Sequence, residues 1–330
     1  MKAICVTQDR DLELRDIPSP SNIPSGYLHV KVAAASINHG DKTFLKHPRL
    51  PSGERLENVW GASAAGIVTH VGTNVPSNYL GRKVAIYRGL KPDDKVLGLW
   101  CEIAQVPYET CLLLPDHVDV KDYSGSLVNV VTTYAFLEQA TAEGHHGIIV
   151  TAGSSATGRA LITLARRRRI PILVVVRSQE AKEEVLKSGV ETERVLSSID
   201  SDFISDLEQM AQKLGTTAVY DGVGGALISR ILGALPPRSS IYFYGFLSGA
   251  DKVEFSSAVF MMKDLTMKRF SNFNTVTVRE KLGDMLQVLE DCIDDPMLRT
   301  SLGKEFQPEE IVSAMKYEES SRKAVIIFPK

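Results

Sequence analysis

A chain of 330 residues is long for one hydrophobic core and predicts two domains. Its composition, 44% apolar and 24% charged with a net charge of −2, is that of an ordinary globular protein, without the basic excess that would make nucleic acid an expected partner. No apolar run reaches the length of a membrane span, and Cys5, Cys101, Cys111 and Cys292 lack metal-type spacing, so they read as free thiols of a reducing cytoplasm.

The opening residues Met1-Lys2-Ala3-Ile4-Cys5-Val6 run straight into a strand pattern, without the apolar core and cleavage site of a secretory signal, and this adds to the cytoplasmic expectation. Residues 1–120 read as β-rich. Short runs at Ala3–Val6, Tyr27–Ala35, Gly66–Val71, Lys83–Tyr87, Glu102–Pro107 and Cys111–Leu114 carry β-branched or aromatic residues between clusters such as Pro18–Asn22 and Val75–Asn78. Strands at this spacing predict a barrel-like or sandwich domain. From Val120 a helical pattern sets in, with Tyr134, Leu137 and Ala140 on one face.

The chain then alternates strands with helices, with apolar strands at Ile148–Val150, Ile172–Val176, Ala218–Asp221 and Ser240–Gly245. This predicts a Rossmann-type α/β domain, a doubly wound parallel sheet, over 121–265. The remainder, 266–330, with a strand at Thr266–Phe270 and a last one at Ala324–Phe328, is expected to return to the first domain.

The most informative stretch is 147–177. A buried strand runs into the small-residue turn Gly153-Ser154-Ser155-Ala156-Thr157-Gly158, then a helix ending in Arg166–Arg169, then a second apolar strand ending at Arg177. Such a unit holds a pyrophosphate at the helix N-terminus, where backbone N–H groups and the helix dipole favour an anion. Ser154, Ser155, Ala156 and Thr157 are therefore predicted to line the phosphates. The side chain ending the second strand meets the adenosine ribose. A carboxylate there accepts from a 2′-hydroxyl; Arg177 instead suits a 2′-phosphate, so the expected cofactor is NADPH. The Gly153–Gly158 spacing departs from G-x-G-x-x-G, and an ordinary βαβ crossover with a polar turn is the competing reading.

Several motifs in order resemble the medium-chain dehydrogenase/reductase superfamily, on its zinc-independent quinone oxidoreductase and 2-enoyl thioester reductase side. Ala35-Ser36-Ile37-Asn38-His39-Gly40-Asp41 is similar to its "INPxD", Gly61–Gly72 to "GxDxAGxVxxVG", Gly81–Ala85 to "GDRV" and Asn129–Tyr134 to "NPxTAY". Tyr220–Gly225 and Tyr244-Gly245 also follow the family pattern. The resemblance implies a GroES-like barrel domain with a Rossmann domain, usually as a homodimer, for which Met261–Phe270 is the expected pairing edge. It further implies that Asn38 and Thr133 lie near the nicotinamide and that Tyr244 and Gly245 border the cofactor.

In zinc-dependent relatives a cysteine stands at the place of Asn38 and a His-Glu pair at that of Ala62-Ser63, so a metal-free mechanism is expected. The middle glycine of the family's turn corresponds to Ala156. The family's tyrosine after "INPxD" has no match; His47 stands nearest its place and is the candidate proton donor, alongside solvent.

The expected activity is NADPH-dependent reduction of a small-molecule acceptor, a quinone, enone or enoyl thioester. The rival reading is an NADPH-binding redox sensor or structural protein with little catalysis. A metal-dependent alcohol dehydrogenase ranks third.

Overall fold

The computed structural model describes residues 1–45, 58–91, 98–249, 252–272, 275–319 and 321–329. Its strands, in chain order, are β1 (Lys2–Val6), β2 (Leu12–Asp16), β3 (Tyr27–Ser36), β4 (Ser63–Val71), β5 (Lys83–Tyr87), β6 (Ile103–Pro107) and β7 (Cys111–Leu113). There follow β8 (Gly147–Val150), β9 (Ile172–Val176), β10 (Val195–Ser197), β11 (Thr216–Asp221), β12 (Ser240–Phe243), β13 (Thr266–Arg269), β14 (Leu302–Phe306) and β15 (Lys323–Ile327). The helices needed below are α1 (His39–Leu45), α2 (Leu127–Ala142), α3 (Ala156–Arg167), α4 (Gln179–Leu186), α5 (Phe203–Leu214), α6 (Gly225–Ile231) and α7 (Ser257–Met262). The chain divides into Met1–Asn129 with Lys281–Lys330, and Val130–Glu280.

The first unit is organised on β3. One side of it pairs along its length with β4; the other takes β6 over Tyr27–Lys31 and β15 over Ala34–Ser36. Register shifts at His29/Val30 and Val32/Ala34 bend the strand so that it serves these partners. At the bend Gly66 faces backbone: a Cβ there would lie 2.2 Å from the Lys31 carbonyl oxygen, so only glycine lets the strands close up. β5 and β7 extend the sheet beyond β4, and β14 extends it beyond β15. Ile4, Leu28, Val30, Val68, Ile86, Trp100, Val106 and Ile326 fill the core. Two strands escape a hydrophobicity pattern. β2 is a mostly exposed hairpin partner of β1, and β14 carries Lys304 and Glu305, so neither reads as apolar.

The second unit is a parallel sheet in the order β10-β9-β8-β11-β12-β13. The chain builds outward from β8 through β9 to β10, then returns to the other side of β8 for β11, so the order reverses between β8 and β11. One face, with Ile149, Leu173, Val175, Val219 and Ile241, packs on Phe203 and Leu207 of α5 and Ile228 and Ile231 of α6. On α2, Phe136 stacks on Tyr220 with ring centroids 4.1 Å apart, and Tyr220 stacks on Tyr242 at 5.0 Å. Burial on both faces explains the unbroken apolar runs.

The 266–269 strand corrects the expected boundary. It pairs in parallel with β12, Ser240 against Thr266 through Phe243 against Arg269, and completes the nucleotide-type sheet rather than the barrel. The return to the first unit comes at Lys281, and the earlier division falls inside α2 at Asn129/Val130. The arginine run at the end of α3 also does more than face water. Arg168 pairs with Glu138 at 2.6 Å and lies 4.2 Å over the Tyr134 ring, fastening α3 to α2.

At the same end of α2, Glu143 accepts from the Tyr242 hydroxyl at 2.7 Å and from Lys268 Nζ at 2.8 Å. The only Tyr242 hydroxyl proton is thus used, so His145 Nε2, 3.1 Å away, must donate to the Tyr242 oxygen. His145 Nδ1 lies 2.8 Å from the Thr217 hydroxyl, which donates to it when the ring is neutral. Burial pushes the imidazole below the ordinary histidine value, with Lys268 acting in the same direction and Glu143 opposing. A depressed folded pKa contributes stability above about pH 6.5 that is lost as pH falls through the folded value. The melting temperature is therefore expected to drop between pH 7 and pH 5. That slope should shrink in His145→Gln; an unchanged slope would show that this histidine does not carry it.

Candidate active site

Around the reversal point, loops at the carboxyl ends of the strands gather the polar groups of the second unit. The turn after β8 is shaped by two glycines. A Cβ on Gly153 would lie 2.2 Å from Val174 Cγ1 of β9, and one on Gly158 would lie 2.4 Å from the Gly153 carbonyl oxygen. Their absence lets α3 start directly on the strand ends. Ala152 adopts a left-handed backbone, φ 53°, to make the turn. Ser155 caps α3, its Oγ accepting from the Gly158 N–H at 3.1 Å. Ser154, Ser155, Ala156 and Thr157 are all partly exposed, as a phosphate-lining turn requires. The alanine at 156 is accommodated as the first residue of α3.

Arg177 is exposed at the end of β9 and precedes Ser178, whose side chain caps α4. Next door, β10 ends on Ser197, fully buried with its hydroxyl unpartnered. At the end of β12 the Tyr244 hydroxyl is also buried, near the Ser155 side chain. Its ring occupies the space beside Gly222, where a Cβ would meet the hydroxyl at 2.6 Å, and it tilts against Phe136 at 5.0 Å. Burial, with Asp221 nearby, raises the phenol's pKa well above its ordinary value, so it is a neutral donor. Gly245 follows, partly exposed, and its own Cβ position lies 3.0 Å from the Gly222 carbonyl oxygen.

Asp221 organises the loop beneath Tyr244. Fully buried at the end of β11, it accepts from Thr151 Oγ1 at 2.5 Å, from the Gly224 N–H at 2.7 Å and from the Val223 N–H at 3.2 Å. Thr151 Oγ1 in turn accepts from the Gly222 N–H at 3.0 Å. Burial drives the carboxyl pKa up, against these hydrogen bonds. Sequence reasoning gave Asp221 no role, although a carboxylate closing an apolar strand is itself a signal. Thr133 lies in the second unit. It is fully buried on α2, and its hydroxyl donates back to the Val130 carbonyl at 2.9 Å.

The first unit holds a separate polar cluster. Asn38 Nδ2 donates to Asp41 Oδ2 at 3.0 Å and to Ser63 Oγ at 3.1 Å, and Asn38 Oδ1 accepts from Lys323 Nζ at 2.6 Å. Asp41, at the start of α1, is buried and also takes the backbone N–H groups of Asn38 at 2.8 Å and Ala62 at 3.1 Å. Burial raises the Asp41 pKa, while the Asn38 bonds, the Lys323 ammonium and the Ala62 bond favour its charged form. His47 lies outside the described residues.

Family comparisons divide the chain similarly. The alcohol dehydrogenase GroES-like domain model matches residues 24–116 and the zinc-binding dehydrogenase model residues 137–291. A Schizosaccharomyces pombe protein named "Probable quinone oxidoreductase" is 25% identical over 237 residues, 72% of this chain and 67% of that protein. The highly reducing polyketide synthase dmxL2 of Cryptosporiopsis is 22% identical over 79% of this chain, which spans only 10% of the synthase. Among solved structures, Escherichia coli quinone oxidoreductase complexed with NADPH superposes with a TM-score of 0.77 at 20% identity, covering 99% of this chain and 100% of that one. A Novosphingobium aromaticivorans alcohol dehydrogenase superfamily protein gives 0.80 at 18% identity, covering 99% of both chains.

The residues present fit a dinucleotide. For the dinucleotide there are a capped helix start pressed onto its turn, an arginine at the end of β9 and the buried, unpartnered hydroxyl of Ser197. For zinc, no three ligand-type side chains converge among the described residues. At the Asn38 position an ammonium stands 2.6 Å from the only side-chain oxygen, where it would repel a second cation.

Proposed function

The chain belongs to the medium-chain dehydrogenase/reductase superfamily, on its quinone-oxidoreductase-like branch, and on that footing we propose that it is an NADPH-dependent oxidoreductase working without zinc. Its acceptor is a quinone or an activated double bond, either an enone or an enoyl thioester. The observation that carries this reading is the β8–turn–α3 unit with Arg177 ending β9. NADPH, when bound, supplies a hydride for the electrophilic carbon or quinone. The protein's part is orientation and binding. The turn Ser154–Thr157 holds the pyrophosphate at the start of α3, Arg177 takes the 2′-phosphate, and Tyr244 and Gly245 border the cofactor. Asn38 presents an amide polarised by Lys323. The proton comes from solvent or from a loop residue, with His47 the candidate.

Titration with NADPH and NADH tests the reading. Wild-type protein is expected to prefer NADPH. Arg177→Ala should weaken NADPH binding by about tenfold or more, the ~1.5–3 kcal/mol scale of one charge-assisted hydrogen bond, while leaving NADH nearly unaffected. Equal affinity for the two coenzymes in the wild type would sink the NADPH assignment. Turnover with a panel of quinones, enones and enoyl thioesters then decides the acceptor.

A second reading, an NADPH-binding sensor with little catalysis, draws on the Thr133 hydroxyl and the Asn38 side chain both being engaged within the protein. Tight NADPH binding without turnover on any acceptor of the panel would favour it. No described helix is long and apolar enough to cross a membrane, and the proposed setting is the cytoplasm. The proposed assembly is a homodimer through the edge strand β13, flanked by Met261 and Met262 at 77% and 86% exposure. Sizing at micromolar concentration should give a dimer, and a lone monomer peak would rule it out.

A further inference from the structure

One charged side chain in the second unit is buried beside the nucleotide turn and belongs to none of the contacts assigned above. Arg159, the residue after Gly158 on α3, is 6% exposed. Its Nη1 donates to the Ser154 carbonyl at 2.9 Å and lies 3.2 Å from Glu184 Oε1 on α4. A guanidinium remains charged even when buried, and burying one has a large desolvation cost unless its partners compensate. Glu184 is one of those partners, and its side chain is 42% exposed, so its charge is shared with water.

The position of that charge matters more than its pairing. It sits against the Ser154–Thr157 turn and donates to the Ser154 carbonyl oxygen, an acceptor that would otherwise oppose an anion. It also ties this turn to α4, the helix that follows Arg177. We propose that Arg159 is a positioning residue for the pyrophosphate of the dinucleotide: it orients the turn and places positive charge beneath it, with Glu184 as the counter-charge that moderates the attraction. The inference rests on the NADPH reading and deepens it by dividing the work between two arginines. Arg177 meets the part of the coenzyme that differs between NADPH and NADH. Arg159 acts on the part they share, so its effect must be the same for both.

The test is titration of both coenzymes against wild type, Arg159→Met, Arg159→Lys and Glu184→Gln, with thermal melts to verify folding. Arg159→Met is expected to weaken NADPH and NADH by the same factor, about tenfold. Arg159→Lys keeps the charge but not the fork, and should recover part of the loss. Glu184→Gln removes the counter-charge and should tighten both coenzymes about twofold to threefold. A purely structural ion pair predicts the opposite for this last variant, with affinity unchanged or reduced. The proposal is overturned if a folded Arg159→Met binds both coenzymes as the wild type does, or if it changes their ratio, or if Glu184→Gln fails to tighten binding. Should Arg159→Met not fold, Glu184→Gln decides alone. Wild-type protein that binds neither nucleotide would overturn the NADPH reading itself, and this proposal with it.

Discussion

Gly158→Val is expected to abolish dinucleotide binding and to destabilise the second unit by roughly 3 kcal/mol, the upper end of the usual cost of overpacking. The obstacle is backbone rather than a side chain that can swing aside. A Cβ at this position would lie 2.4 Å from the Gly153 carbonyl oxygen and 2.6 Å from that of Ala152. To relieve the clash α3 must lift off the turn, and the amides at its start then no longer converge on a phosphate. The urea midpoint measures the first effect and NADPH titration the second. Gly233→Ala is the control, since a Cβ there meets nothing within 4 Å in the same unit. Its midpoint and affinity should stay those of the wild type. If Gly158→Val matched the wild type as well, the close approach of α3 to the turn would have no energetic meaning.

Replacing Asp221 by leucine is the second large effect. The substitution leaves the buried Thr151 hydroxyl and Gly224 amide, and the partly buried Val223 amide, without their acceptor. Each buried polar group left unsatisfied costs about 1–3 kcal/mol, so a combined loss of about 3 kcal/mol or more is expected. Asp221→Asn retains one acceptor oxygen and should lose about half as much. The consequence spreads because Tyr244 packs on Gly222, and the Leu247 and Ser248 amides donate to the Gly222 and Val223 carbonyls. Near-ultraviolet circular dichroism should therefore lose aromatic signal in the leucine variant before global unfolding. A leucine variant within about 0.5 kcal/mol of the wild type would mean that the carboxylate is dispensable.

The legible parts of this chain are those where periodicity and chemistry agree. β8, β9 and β11 are apolar on both faces, so their type and their place in a parallel sheet follow from the residues alone. The turn at Gly153–Gly158 and the arginine ending β9 were equally visible, because a run of small residues between a strand and a helix, and a charge closing an apolar strand, both stand out from their surroundings. Strand β13 was visible as a strand but not as a member of the right sheet: Thr266–Arg269 carries two basic residues and shows no apolar face, so nothing local names its partner. The polar networks were largely hidden. That Lys323 reaches Asn38 is a contact across 285 positions, and Arg159 on an amphipathic helix looks like a surface residue until Ser154 and Glu184 are seen around it. His145 and Glu143 lie close in sequence, but the tyrosine that joins them is on β12.

The position of β15 has a consequence for how the protein is made. The edge of β3 at Ala34–Ser36 finds its partner only when Val325–Ile327 exist, whereas every strand of the parallel sheet has been synthesised by Arg269. At ~5–20 residues per second, a ribosome needs on the order of tens of seconds to travel from the one segment to the other. During that time the nucleotide-type unit has its whole chain available and can fold. The N-terminal strands meanwhile wait with one edge of their longest member open. A stall late in translation would therefore leave a complete second unit beside a first unit still lacking β15.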